Sequence, residues 1–82
     1  MFINNTPDGR NNLCGKSIAA LRKAMHISQR ELADRLQIAG LDIDKNAVQR
    51  IESGQRFLTD IELQFFQQVL QTTFETLYNS NT

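Results

Sequence analysis

The sequence of 82 residues lacks tryptophan and has only one cysteine, one proline and four glycines. The single cysteine, Cys14, excludes an intramolecular disulfide framework and is typical of a reducing compartment. No apolar run approaches the roughly 20 residues that a membrane-spanning helix needs, and residues 1–10 lack the apolar core of a signal peptide. We therefore expect a cytoplasmic protein with no membrane segment, short enough to form one domain.

An excess of charge of either sign is also lacking, because nine Lys and Arg residues balance nine Asp and Glu residues. The charges are nevertheless unevenly placed. Residues 10–56 hold all nine bases and five acids, a net charge of +4, whereas residues 57–82 hold three acids and no base. This separation permits one face to meet phosphate, but many domains have a similar asymmetry, so alone it indicates little.

Helical periodicity is present along most of the chain. Apolar residues recur at three- and four-residue spacing without strand-like alternation, and the only proline is Pro7, so we expect an all-α fold. Residues 13–78 should form the domain, with a mobile N-terminal arm at residues 1–12 and a C-terminal tail at residues 79–82. Five helices are predicted: from about Leu13 to Met25, between Ser28 and Gly40, from Asp44 to about Ser53, from Thr59 to about Leu70, and from Thr73 to Tyr78.

Local signals define the ends of these helices. Gly40 and Gly54 are placed to end the second and third helices in the left-handed conformation, and His26 tolerates that conformation better than a β-branched residue would. Three pairs have the spacing of a capping box, in which each partner binds the backbone of the other. The pairs are Ser28 with Glu31, Thr59 with Glu62, and Thr72 with Glu75.

The third predicted helix has a polar arc opposite an apolar one at about 100° per residue. Its amides and cations suit base edges in the major groove, because Asn and Gln can pair with adenine, and Lys and Arg with guanine. A polar helix face alone is more often just solvated, but a capped helix and a short connector precede this one, as in a helix-turn-helix. The polar arc contains Lys45, Asn46, Gln49, Arg50 and Ser53, and the apolar arc Ala47, Val48 and Ile51.

Two segments carry a more specific signal. Residues 21–33 are LRKAMHISQRELA, similar to the pattern LR-x-x-x-x-(L/I)-(S/T)-Q-x-E-L-A, and residues 48–56 are VQRIESGQR, similar to (V/I)-x-x-(I/L)-E-x-G-x-R. In this order they resemble the phage repressor/Cro-type helix-turn-helix family, the xenobiotic-response-element-like transcription regulators. The resemblance covers about Leu13 to Tyr78 and implies a compact five-helix lambda-repressor-like domain. One departure is the stretch from Gln37 to Ile43, several residues longer than the tight turn of the phage repressors.

The resemblance also implies roles for particular side chains. Gln29, at the N-terminus of the second helix, is placed to meet a phosphate. Arg22 and Glu52 are expected to pair across the core and fix the first helix against the third. Arg30 and Arg35 are left open as DNA contacts, and Arg10 is assigned to the arm. The implied base contacts are Lys45, Asn46, Gln49 and Arg50, and the implied phosphate contacts are Gln29, Gln55 and Arg56.

Enzymatic and cofactor-binding classes find little support. Residues 15–17 are GKS, as at the end of a P-loop, but the preceding glycine is out of register and no strand precedes it. Cys14 and His26 are too few to close a zinc site, and they lie at opposite ends of one predicted helix. We expect no enzyme, no metal and no cofactor.

Three functions remain open. The first is a repressor-like regulator that binds double-stranded DNA sequence-specifically as a homodimer, using the third helix in the major groove. Its dimer interface is expected around Phe74, Leu77 and Tyr78. The second is an antitoxin of a toxin–antitoxin pair, which would also dock a partner protein. The third is a protein-interaction module that has kept the fold and lost affinity for DNA, as the zero net charge allows.

Overall fold

The computed structural model describes Asn12 and residues 14–79, apart from the side chains of Phe74, Tyr78 and Asn79. These residues form five α-helices and no strand, which confirms the predicted all-α class. The helices are α1 (Gly15–Ala24), α2 (Gln29–Ala39), α3 (Lys45–Ser53), α4 (Asp60–Leu70) and α5 (Phe74–Asn79).

The core draws side chains from all five helices. Helix α1 packs against α3, α4 and α5, while α2 packs against α3 and α4, so that α3 and α4 each contact both of the first two helices. Burying one large aliphatic or aromatic side chain contributes about 1.5–3 kcal/mol, so this shared core is what holds the short helices together. The side chains with no exposed surface include Ile18, Leu32, Leu36, Val48, Ile51, Phe66 and Leu77.

Four helices end on a left-handed residue. The φ angles are 60° at His26, 117° at Gly40, 84° at Gly54 and 53° at Gln71. At each end the residue after the left-handed one donates its N–H to the carbonyl five residues earlier, for example from Leu41 to Leu36 at 2.9 Å. These bonds satisfy carbonyls that the last turn of the helix leaves without a partner. The first three of these ends are the predicted ones, and Gln71 was not predicted.

Replacing Gln71 with glycine should stabilise the protein. A left-handed conformation costs a residue with a Cβ roughly 1–2 kcal/mol, and glycine avoids this cost. Part of the gain is lost again, because glycine also has more conformational entropy in the unfolded chain. We expect Gln71→Gly to raise the free energy of unfolding in urea melts by about 0.5–1 kcal/mol. The matched control is Gln64→Gly, in the exposed middle of α4, which should lower it by about 1 kcal/mol. If Gln71→Gly lowered the free energy of unfolding as much as Gln64→Gly does, the backbone at Gln71 would not be strained.

Three helix starts are as predicted, but only one has a complete capping box. Ser28, Asp44 and Thr59 accept hydrogen bonds from the backbone N–H three residues on. At α4 the Glu62 carboxylate returns a bond to the Thr59 N–H at 3.1 Å. At α2, in contrast, the Glu31 carboxylate lies 3.6 Å from Arg35, one turn along its own helix, so only the Ser28 half of that predicted box forms.

The ends of α1 and α5 correct the sequence predictions. Helix α1 begins at Gly15, and Leu13 lies outside the described residues. The predicted capping pair Thr72–Glu75 is wrong by one residue, because Thr73 Oγ1 accepts from the Thr76 N–H at 3.2 Å. Helix α5 is accordingly shifted to Phe74–Asn79. Capping signals predict the existence of a helix better than its first residue, since either of two adjacent threonines can serve as the N-cap.

The connector between α2 and α3 lies between the two predicted helix ends, Gly40 and Asp44. Helix α2 continues through Ala39, so five residues, Gly40–Asp44, join it to α3. Leu41 and Ile43 turn into the core, and the Gln37 side-chain amide donates to the Ile43 carbonyl at 2.8 Å. A Cβ at Gly40 would lie 3.4 Å from the Phe65 ring, so this turn packs against α4. The connector is therefore folded onto the core rather than looped into solvent.

Candidate nucleic-acid interface

Helix α3 separates its residues by face as its sequence predicts. Val48 and Ile51 have no exposed surface, and Ala47 is half-buried against the core. The opposite side carries two cations, two amides and a hydroxyl, all of them exposed. This polar face consists of Lys45, Asn46, Gln49, Arg50 and Ser53.

Both ends of α3 are fixed by local hydrogen bonds. At the start, Asp44 Oδ1 accepts from the Ala47 N–H at 2.8 Å. At the end, the N–H groups of Gln55 and Arg56 both donate to the Arg50 carbonyl, at 2.8 and 3.1 Å. A nine-residue helix is too short to persist alone in water, so these ends and the buried face hold the polar face in place.

Glu52 joins α3 to the elements beside it. Its carboxylate accepts from Arg22 Nε at 2.7 Å and from Arg22 Nη2 at 3.1 Å, a two-pronged pair in which both side chains are about a tenth exposed. Arg22 Nη1 also donates to the Ile27 carbonyl at 2.9 Å. The structure thus brings together the two charges that the sequence paired, and it ties α1, the turn after it and α3 to one point.

Gln29 belongs to the same network. Its side-chain amide nitrogen donates to Glu52 Oε1 at 3.0 Å, and the residue is half-buried. The sequence assigned this side chain to a phosphate, and it did not reveal the partner on α3. The amide therefore has an intramolecular role at the N-terminus of α2, where two helices of the expected helix-turn-helix meet.

Arg56, in the loop after α3, also has an acidic partner. Its Nη2 lies 2.9 Å from Glu62 Oε2, while the other oxygen of Glu62 caps α4. The Arg56 side chain is 36% exposed, but its Nη1 is buried and has no hydrogen-bond partner among the described residues. A buried donor without a partner costs about 1–3 kcal/mol, so the bond to Glu62 satisfies this guanidinium only in part.

The remaining basic and polar candidates differ in their surroundings. Gln55 is exposed in the loop after α3. Arg30 and Arg35 are exposed on α2, and Arg35 has the weak intrahelical pair with Glu31. Arg10 and the rest of the predicted arm up to residue 11 lie outside the described residues, as do residues 80–82 of the predicted tail.

Asn12 is a residue whose importance the sequence did not indicate. The sequence places it in the mobile arm, yet it is 8% exposed and its amide makes three hydrogen bonds. The amide nitrogen donates to the carbonyls of Ile51 and Arg56, at 3.0 and 2.8 Å, and the amide oxygen accepts from the Gly15 N–H at 2.7 Å. Asn12 therefore joins the start of α1 to the end of α3.

Comparison with known proteins identifies this arrangement. A family model described as helix-turn-helix, of the Cro/C1 type, matches residues 18–77, which include α2, the connector and α3. The chain belongs to the helix-turn-helix family. Members of this family are DNA-binding regulators of transcription and are typically not enzymes, and DNA binding is the general activity of this chain. Neither the curated proteins nor the solved structures give a significant match.

A membrane-spanning helix and a metal-ligand cluster are both absent from the described part of this helix-turn-helix protein. There, no helix is long and apolar enough to cross a membrane, and no group of three or more His, Cys, Asp or Glu could hold a metal ion. Burial raises the pKa of the Cys14 thiol, which disfavours the thiolate that metal binding and nucleophilic chemistry need.

Proposed function

We propose that this protein is a repressor-like regulator that binds double-stranded DNA sequence-specifically by placing α3 in the major groove. The observation that carries this proposal is the division of α3 into a buried apolar face and an exposed polar one. Four exposed side chains on successive turns are of the types that pair with base edges. The proposed base contacts are Lys45, Asn46, Gln49 and Arg50.

The proposed phosphate contacts lie at the two ends of the helix-turn-helix. Gln55 and Arg56 follow α3, and Gln29 begins α2, where the helix N-terminus favours an anion. Two of these side chains already have an acidic partner, since Gln29 binds Glu52 and Arg56 binds Glu62. A phosphate would therefore share these groups with the carboxylates. For Arg56, whose side chain is 36% exposed, the guanidinium keeps surface that a phosphate could reach.

The proposal is tested by selecting bound sequences from a random pool of duplex DNA. We expect the selected sequences to converge on one motif and to bind at least about a thousandfold more tightly than random duplex at the same salt concentration. Binding should weaken steeply as salt is raised, because basic residues displace counterions from phosphate. The proposal would be contradicted if the selected sequences bound no more tightly than random duplex, or if binding occurred only at low salt concentration.

We further propose that the protein binds as a two-fold homodimer. One recognition helix spans only a few base pairs, so we expect footprints of two related half-sites about 34–36 Å apart, one turn of the duplex. The interface predicted around α5 needs one correction: Leu77 has no exposed surface, and its carbonyl accepts from Ser17 Oγ, so this side chain belongs to the core. Protection of one asymmetric half-site at saturating protein would contradict the dimer.

The same measurements distinguish the two alternative functions. An antitoxin would bind DNA and also retain a partner protein on the complex. A protein-interaction module would show only weak binding that does not depend on sequence, in the range of about 10⁻⁴–10⁻⁶ M that non-specific binding has. The basic charge of the polar face, with Lys45 and Arg50, favours the DNA-binding alternatives.

A further inference from the structure

The loop after α3 is held to the rest of the protein from two sides. On the outer side, the Arg56 guanidinium binds the Glu62 carboxylate at the start of α4. On the inner side, the buried Asn12 amide binds the Arg56 main-chain carbonyl. The loop that carries two proposed phosphate contacts is therefore fixed both by a side chain and through its backbone.

The inner attachment joins the loop to α3 itself. One amide nitrogen of Asn12 donates to Ile51, in the last turn of α3, and to Arg56, five residues later. These two carbonyls belong to a chain that turns back on itself, because the N–H groups of Gly54, Gln55 and Arg56 bond to the end of α3. Asn12 thus fixes the distance between the end of the helix and the loop.

The chemistry of asparagine suits this position. A primary amide offers two donor hydrogens and a separate acceptor, and here the donors serve the loop while the oxygen serves the Gly15 N–H at the start of α1. Aspartate would keep the acceptor and lose both donors, and alanine would lose all three bonds. Because the site is buried, water cannot readily replace the lost donors.

We propose that Asn12 is a positioning residue for DNA binding: it holds the loop after α3 in the shape that lets Gln55 and Arg56 reach phosphate while α3 lies in the groove. The inference rests on the proposed function. Since a displacement of about 1 Å is enough to break a hydrogen bond to phosphate, a loosened loop would lose phosphate contacts and leave the base contacts of α3 in place.

The test compares Asn12→Ser with Ser17→Ala in the full chain. The serine hydroxyl can still accept from the Gly15 N–H, so helix α1 keeps its start, and the variant adds no charge. Ser17→Ala is the matched control. It also removes a buried bond from a side chain to a carbonyl, from Ser17 Oγ to Leu77 at 2.6 Å, but that bond joins α1 to α5 and does not involve the loop after α3. Both proteins are titrated with the selected duplex and with single-base variants of it at several salt concentrations, where both remain folded.

We expect Asn12→Ser to bind every sequence at least fivefold more weakly, with an unchanged order of preference. The salt slope, which is the slope of log affinity against log salt concentration, should fall by up to about one, the value of one phosphate contact. Amide exchange at Gln55 and Arg56 should become at least tenfold faster. Ser17→Ala should leave affinity, salt slope and exchange in this loop as in the parent protein.

Two outcomes separate this inference from the proposed function. If the parent protein binds the selected duplex and Asn12→Ser binds it with the same affinity and slope, the positioning role is wrong and the proposed function stands. If Ser17→Ala changes the slope equally, the effect is general destabilisation and the inference is also overturned. If the parent protein has no sequence preference, the proposed function fails and the inference fails with it.

Discussion

Replacing Arg22 with alanine should lower the free energy of unfolding by about 3–5 kcal/mol, because the Glu52 carboxylate would stay buried without its arginine. The Glu52 side chain is only 7% exposed, and Arg22 supplies two of its hydrogen bonds. The same substitution also removes the bond from Arg22 to the Ile27 carbonyl, at the turn into the helix-turn-helix. Urea or thermal melts measure the loss.

Two variants show whether burial is the cause. Arg35→Ala removes a pair whose members are about half exposed, so its effect should stay below about 0.5 kcal/mol. The double variant Arg22→Met, Glu52→Leu removes both charges and should recover part of the stability lost in Arg22→Ala, since apolar pairs of similar volume often replace buried ion pairs without loss. The recovery is only partial because the Gln29 amide loses its partner on Glu52. A loss of less than about 0.5 kcal/mol in Arg22→Ala itself would show that the pair is effectively solvated.

The features that could be predicted from the sequence are those with local causes. The starts of α2, α3 and α4 depend on an acceptor side chain and an N–H three residues later, and both are visible in the sequence at Ser28, Asp44 and Thr59. The polar face of α3 follows from helical periodicity in the same way. Gly40 and Gly54 could be placed at helix ends because glycine has no Cβ to strain the left-handed backbone.

The features that escaped prediction depend on contacts across the fold. Asn12 binds carbonyls 39 and 44 residues away, and nothing in its neighbourhood distinguishes it from the other asparagines of the N-terminal segment. Gln71 takes the left-handed conformation because α5 must turn back onto α1, where the Leu77 carbonyl meets Ser17. Periodicity likewise could not tell whether Leu77 faces the core or a partner, since both environments favour an apolar residue.

The acidic partners of Gln29 and Arg56 show a second limit. Sequence spacing assigned Glu62 to the capping box of α4, and one of its oxygens does cap Thr59. A carboxylate has two oxygens, however, and the second binds Arg56. A motif accounts for the bonds it requires and leaves the other bonding positions open, so a predicted phosphate contact can also have a partner within the protein.

Base contact and backbone contact should be separable by two substitutions. Gln49 is exposed near the centre of the polar face of α3, so its amide should pair with a base edge. Gln49→Ala should then relax the preference at one base pair in each half-site by about 1–3 kcal/mol and leave the salt slope unchanged. The measurement is titration against the selected duplex and its single-base variants. Gln64→Ala, the same change on the exposed face of α4, is the control and should have no effect.

Arg56→Ala should have the opposite signature. A contact with phosphate carries no sequence information, so its loss should weaken binding to all sequences alike and reduce the salt slope by about one. Arg56→Lys retains the charge and should retain most of the slope. Glu62→Gln keeps an acceptor for the Thr59 N–H but removes the charge that competes for Arg56, so it should tighten binding. If Gln49→Ala weakens every duplex equally, α3 does not contact bases through this face. If Arg56→Ala leaves the slope unchanged, the bond to Glu62 is the whole role of that arginine.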